Sequence, residues 1–443
     1  MTTRRFLLCS TPAQGHTAPL LAVARRLVEG GHHVTFFTTE HYRHRVNRTG
    51  ALFAPFATHC DAHDLMVANP EREVSSARGV RGVKDDLRRI FVGPLAGQYA
   101  GLMGILEAFP ADVIVTDTMF FGALPLALGP RAARPALATI GVMPLAISSR
   151  DTAPFGVAMQ PGTGAFSRLR NRALNWATEH VVLRDIQQLA HRRLAECGAP
   201  RFRGSFIDLP PKVVDVYLQA TVPGFEYPRS DLPRSIRFVG PILAPPSTAF
   251  DPPGWWDELG DGRAVVHVTQ GTLDNADLSR MLGPTMEALA GDDVLVVATT
   301  GGPDPAPLRP TLPANVRLER FIPHDLLLPR VDVMVTNGGY GGVQQALAHG
   351  VPLVVAGDSE DKPEVAARVR WSGAGVDLRT GRPTPVQLAT AVRRVLEQPS
   401  FRQRATALQI EIAQTDAGQT IDDVLVELAR SARGQRFNGD MSA

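Results

Sequence analysis

Residues 6–38 read FLLCSTPAQGHTAPLLAVARRLVEGGHHVTFFT, and this stretch decides the fold. Phe6–Ser10 is a short apolar run, as expected of a buried strand. Thr11–His16 is turn chemistry. Residues 18–29 then set Leu20, Ala24, Leu27 and Val28 on one helical face, and Gly30-Gly31 supply the stop. His33–Thr38 is the next strand. Strand, loop, helix and strand within about thirty residues form the unit of a parallel sheet.

Further strands are expected at 51–57, 113–117 and 136–141, with residues 60–110 a mixed, partly helical elaboration beside the sheet. A second α/β run begins near 264. Its strands are expected at 264–269, 294–299, 316–321, 333–336 and 352–357, and its helices at 276–290, 340–349, 361–371 and 384–397. The stretch between the halves, 222–262, is rich in Pro and Gly, which favours an extended connector. The expectation is an α/β chain of two Rossmann-like, doubly wound domains facing a deep crevice: 1–225, a linker at 226–262, and 263–415. The halves share architecture and no obvious sequence repeat.

The 443 residues suit two or three domains, and 44% apolar with 20% charged residues excludes wholesale disorder. Forty-six basic residues nearly balance 44 acidic ones, for a net charge of +2. No global field is available to hold nucleic acid or an anionic membrane, so an anion must be held by local geometry. Cys9, Cys60 and Cys197 are far apart, which suggests neither a disulfide framework nor a zinc site. The longest apolar stretches, such as 135–147, are too short to span a bilayer, and Pro144 breaks that one. A cytoplasmic protein is expected. Only Lys84, Lys212 and Lys362 are lysine, a bias fitting a GC-rich coding sequence.

In doubly wound sheets, ligands bind beyond the carboxyl ends of the strands. The loop after the first strand holds His16, and the strand VIVTD ends at Asp117. Both emerge at the same sheet edge. A carboxylate on one imidazole nitrogen fixes the tautomer and raises the basicity of the other, giving a general base for a hydroxyl. The dinucleotide fingerprint GxGxxG is absent from this loop.

Residues 333–350, VMVTNGGYGGVQQALAHG, place four glycines in five positions between a strand and a helix. Backbone amides at a helix start form an anion site, and a diphosphate is the expected guest. Asn337 and the amides of Gly341, Gly342 and Val343 are the candidate donors. Gln270-Gly271-Thr272 and Asp358–Lys362 lie on loops aimed at the same place. No DxD or HExxH occurs, and no metal ligand set is expected.

With these residues, the chain resembles the inverting family-1 glycosyltransferases, the UDP-glycosyltransferase superfamily of GT-B fold, in the actinomycete branch acting on macrolides and other natural products. TPAQGHTAPLLAVARRL, VIVTDTMFFGALPLA, the FVGP linker and RFIPHDLLLPRVDVMVTNGGYGGVQQALAHGVPLVVAGDSEDKPEVAARV carry the resemblance. It implies His16 as catalytic base and Asp117 as its partner. Phe321 falls where a tryptophan stacks on the nucleobase, and His324 where a glutamine sits near base and ribose. Asn337 replaces a diphosphate histidine, and Gly339, Gly341 and Gly342 belong to the backbone cradle. Gln345 replaces a ribose-binding glutamate, and Asp361-Lys362 replaces the Asp-Gln that reads sugar hydroxyls. Thr272 lies where a threonine reaches phosphate or sugar.

The implied reaction is metal-independent, inverting transfer from a UDP- or TDP-sugar co-substrate to a hydroxyl of a macrolide, polyketide or flavonoid, with no further cofactor. Met66, Phe91, Met119, Phe120, Met143 and Phe155 are the candidate acceptor lining. The resemblance also implies that residues 416–443 form a helix crossing back to the first domain, then a tail. A monomer or homodimer with no nucleic-acid or membrane partner is expected. The competing readings are a sugar-nucleotide epimerase, which needs carboxylates near the sugar, and a non-catalytic nucleotide-sugar-binding member.

Overall fold

The computed structural model describes residues 2–57, 60, 80–244, 246–271, 275 and 277–440. Two parallel sheets organise it. The first contains β1 (Arg5–Cys9), β2 (His33–Thr38), β3 (Leu52–Pro55), β4 (Val113–Asp117), β5 (Ala136–Gly141), β6 (Val216–Gln219) and β7 (Ile236–Phe238). Its order is β3-β2-β1-β4-β5-β6-β7. The second contains β8 (Ala264–Thr269), β9 (Val294–Thr299), β10 (Val316–Glu319), β11 (Val333–Thr336), β12 (Leu353–Val355) and β13 (Gly375–Asp377), in the order β10-β9-β8-β11-β12-β13. Helices cover both faces, so inner strands such as β4 and β9 are buried at every residue and read as unbroken apolar runs.

Each sheet reverses direction beside its first strand. β1 lies between β2 and β4, and β8 lies between β9 and β11. The ends of β1 and β4, and of β8 and β11, therefore open onto a topological switch point. Register sharpens this: Cys9 pairs with Thr116, and Thr269 with Thr336. The loops that follow these residues start side by side.

The helix Gln14–Glu29 buries Thr17, Leu20, Leu21, Val23, Ala24 and Leu27 against the first sheet. Gly31, at φ +79°, turns the chain into β2. The connector is shorter than expected from composition. Ile236–Phe238, inside the 226–262 stretch, pairs with β6 as the edge strand of the first sheet. Prolines exclude a regular helix but tolerate a three-residue edge strand. Further on, Phe250, Trp255 and Trp256 pack on the second core.

The helix Ala417–Asp440 lies on the first sheet, although it follows the second domain in sequence. Ala417, Ile421, Val424, Leu425 and Ala429 join the first core, and Arg26 Nε donates to Asp422 Oδ2 at 2.8 Å. Polar contacts also bind the halves. Gln219 Nε2 at the end of β6 donates to Tyr340 Oη at 3.1 Å, and Gln344 Nε2 donates to Thr221 Oγ1 at 2.5 Å. Among the described residues, no helix is long and apolar enough to cross a membrane.

Leu425 is fully buried in the first core. Leu425→Ala should cost about 2–5 kcal/mol of stability. A denaturation midpoint equal to wild type would show that the C-terminal helix does not support the first domain.

Candidate active site

The first half of the site is built on Asp117. Its side chain is fully buried, and Oδ1 accepts from Met119 N at 2.8 Å and Thr11 Oγ1 at 3.1 Å. Oδ2 accepts from Thr11 N. These bonds come from the loops after β1 and β4, so neighbouring strands hold the carboxylate still. The remaining bond at Oδ1 is to His16 Nδ1, at 2.7 Å. With Nδ1–H donated to Asp117, Nε2 keeps its lone pair. Thr11 was not singled out from the sequence; its position in the first turn was the available signal.

Burial lowers the His16 pKa, but the Asp117 charge and hydrogen bond, with the Asp361 and Glu360 carboxylates, raise it by more, to a net value above 6.5. Asp361 and Glu360 belong to the second half, so the imidazole senses charge across the crevice. Asp361 is itself pushed up to about 6 by burial and by Glu360, against the pull of Lys362 and His16. Asp86, on the helix Val80–Asp86, is also raised to about 6 by burial and by Glu360. No motif pointed to Asp86.

The second half centres on the turn after β11. Asn337 Nδ2 donates to Gln270 O at 2.6 Å, tying the turn to the loop after β8. Gly338 has φ +87°, and a Cβ there would come 2.7 Å from Val355, so only glycine fits. Gly339 caps the helix Tyr340–Ala348, whose first turn contains Gly341 and Gly342. A Cβ at Gly341 would meet nothing within 4 Å, and Gly342 is nearly as open. The Val343 amide is already bonded to Gly339 O at 3.0 Å. The helix starts one residue too early for Val343 to serve a ligand, so the candidate anion donors are the amides of Gly341 and Gly342.

Phe321 stands exposed beyond β10, with its ring free to stack. His324 Nδ1 donates to Gln345 Oε1 at 3.0 Å and packs edge-on against His267, with ring centroids 5.5 Å apart. Burial holds His324 below its ordinary value, while burial and His324 push His267 down to about 3. Both rings are therefore neutral at neutral pH. Lys362 is buried; its Nζ donates to Ser359 Oγ at 3.1 Å and pairs with Glu360. Glu360 holds φ +55°, a costly conformation for a residue with a side chain. Thr272 lies outside the described residues.

The five described candidate acceptor residues do not form one wall. Phe91 and Met119 pack on a cluster with Leu95 and Phe121. Phe120 is closed into a separate core against Phe37 and Phe56. Met143 is half-buried, with its carbonyl accepting from Gln219 Nε2 at 2.9 Å. Phe155 lines a small cavity with Leu145, Ile147 and Met159. Met66 lies outside the described residues. Cys9 and Cys60 are buried and Cys197 is half-buried.

Comparison with known proteins follows this geometry. Residues 284–428 match the family model for the C-terminal domain of erythromycin biosynthesis protein CIII-like proteins. The chain is 48% identical over 417 residues to 4'-demethylrebeccamycin synthase of Lentzea aerocolonigenes, covering 93% of this chain and 96% of that one. Among solved structures, the glycotransferase of kitacinnamycin superposes with a TM-score of 0.72 at 22% identity, covering 96% and 99% of the two chains. Glycosyltransferase VinC in complex with dTDP superposes with a TM-score of 0.65 at 21% identity, covering 96% and 100%. These structures share the fold.

A folded His16 pKa above the unfolded one means the pair stabilises the protein fully below about pH 6.5, and less as pH rises through the folded value. Asp117→Asn removes the charge and leaves the burial. Its His16 ring titration, followed by proton NMR, should fall below that of the wild type. An unmoved titration would exclude Asp117 as the source of the shift.

Proposed function

The chain belongs to the family-1-like glycosyltransferases of the natural-product type, and on that premise we propose that it moves a sugar from a UDP- or TDP-sugar to a hydroxyl of a hydrophobic natural product, with inversion. The observation that carries this reading is the His16–Asp117 pair, which senses the Asp361 and Glu360 carboxylates across the crevice. A base on one domain thereby stands against the sugar-reading loop of the other.

The acceptor hydroxyl lies between His16 Nε2 and the anomeric carbon. His16 takes the proton as the oxygen attacks, and Asp117 holds the imidazolium that forms. The bond from the anomeric carbon to the diphosphate breaks on the opposite face, so an α-linked donor gives a β-glycoside. The departing diphosphate meets the Gly341 and Gly342 amides at the positive end of the helix Tyr340–Ala348. Among the described residues, no group of three or more His, Cys, Asp or Glu could hold a metal. The Gly341 and Gly342 amides serve as the stabilising charge.

Phe321 offers a stacking face to a pyrimidine base, and Gln345 with His324 offers neutral partners to the ribose. Bonds from uncharged groups are roughly half as strong as those from charged ones. VinC holds dTDP and a relative 33% identical is a UDP-glucosyltransferase, so thymidine and uridine donors both remain in this reading. Asp361 and Lys362 read the sugar hydroxyls. The acceptor lies against the first domain, where the half-buried Phe155 and Met159 present soft apolar side chains.

Two measurements test this. In a thermal-shift panel of UDP, TDP and GDP, a true donor nucleotide at a hundred times its dissociation constant should add about 2.7 kcal/mol of stability. No shift with any nucleotide would sink the reading. UDP-glucose or TDP-glucose is then incubated with a macrolide aglycone, an aromatic polyketide and a flavonol, and products are read by mass spectrometry. His16→Ala should lose about 10²–10⁴ in turnover with nucleotide affinity almost intact. A wild-type rate in that variant would overturn the base assignment.

A further inference from the structure

The first turn of the helix Lys362–Ser372 points in two directions. Glu360 and Asp361, just before it, act on His16. Glu364, two residues after Lys362 and 4% exposed, reaches the first domain. Its Oε1 accepts from Gly156 N and from Ala158 N, both at 2.8 Å. Its other oxygen accepts from Arg368 Nη1 at 2.8 Å.

Arg368 continues the connection. Its Nε and Nη2 donate to Glu226 Oε1 at 3.0 and 2.7 Å, and its guanidinium lies 4.2 Å from the centre of the Tyr227 ring. Glu226 Oε2 accepts from Leu145 N at 3.0 Å. Every charge in this chain is buried. Ion pairs of this kind add little net stability, because desolvation offsets attraction. Their effect is geometric: they fix which backbone lies against which.

The backbone fixed by Glu364 is unusual. Gly156 has φ +97° and Ala158 has φ +54°. An alanine in the left-handed region is uncommon and persists where the surroundings hold it. Nearby amides converging on one anion are such a surrounding, and here Gly156 N and Ala158 N converge on the Glu364 carboxylate. On either side of those amides sit Phe155 and Met159, which line a small cavity together with Leu145, Ile147, Glu364 and Arg368.

We propose that Glu364 is a positioning residue for sugar transfer: it clamps the acceptor-side loop carrying Phe155 and Met159 to the helix that begins at Lys362, directly after Asp361. The proposal rests on the reading above, in which the first domain holds the acceptor and the second the donor.

The test compares wild type with Glu364→Ala, Glu364→Gln, Glu364→Asp, Phe155→Ala and the Glu364→Ala/Phe155→Ala double variant. Amide hydrogen exchange over 153–160 is measured in each, with the UDP and TDP dissociation constants and the KM for whichever acceptor of the panel wild type uses. Glu364→Ala should lose protection at the Gly156 and Ala158 amides. It should raise the acceptor KM on the order of ten- to hundredfold, from the loss of two charge-assisted bonds, with nucleotide affinity within about twofold. Glu364→Gln retains an oxygen for both amides and should restore most of both properties. Glu364→Asp keeps the charge beside Arg368 but withdraws the oxygen by one methylene, so it should behave like the alanine variant; it carries the test if that variant does not fold. In the Phe155→Ala background, Glu364→Ala should add little.

Unchanged protection in the alanine and aspartate variants would overturn the proposal. So would a glutamine variant as impaired as alanine, nucleotide affinity falling in step with acceptor KM, or independent multiplication of the Phe155 and Glu364 effects. If wild type transfers sugar to no member of the panel, the functional reading fails, while hydrogen exchange still decides whether Glu364 holds the loop.

Discussion

Everything at the candidate site depends on β1 and β4 being neighbours. Cys9 pairs with Thr116, so Thr11 and Asp117 emerge together and the 2.7 Å bond to His16 can form. The adjacency follows from the reversal of strand order beside β1, and the same reversal beside β8 brings Asn337 to Gln270. Two switch points in one chain give two prepared edges. A reaction between two substrates needs both.

What holds the edges opposite each other is polar and buried. Gln219 with Tyr340, Thr221 with Gln344, and the chain Glu226–Arg368–Glu364 cross between the halves. Burial places each in a medium where an unpaired group is costly, so partial separation would leave charges uncompensated. The C-terminal helix adds an apolar tie by returning Ile421, Val424 and Leu425 to the first core. The crevice is thus bounded by contacts that favour one arrangement of the domains.

The charges are distributed unevenly around this crevice. Glu360 and Asp361 act on His16, and burial with repulsion from Glu360 lifts Asp86 and Asp361 to about 6. Around the turn after β11, Asn337, Gln345 and a neutral His324 stand where charged residues could have been placed. An anion bound there would rest on helix amides and stacking. That fits a chain whose net charge of +2 supplies no field of its own.

The sequence by itself determined the two α/β runs, the turn chemistry at Thr11–His16 and the glycine turn at 338–342. Each is a local pattern of periodicity and backbone freedom, which neighbouring residues settle between them. It also marked His16 and Asp117, because strand ends in a parallel sheet share one edge. Only the tertiary structure decided the remainder. Ile236–Phe238 became a strand because β6 offered an edge, against the local composition. Phe120 turned into the core around Phe37 and Phe56 while its neighbour Met119 packed half-buried on a different cluster, a choice made by tertiary packing. Val343 dropped out as an anion donor because the helix began at Tyr340 and claimed its amide. Glu364 looked like one more helical acid in sequence. Its meaning came from two amides more than two hundred positions away, and no pattern along a chain records a contact at that separation.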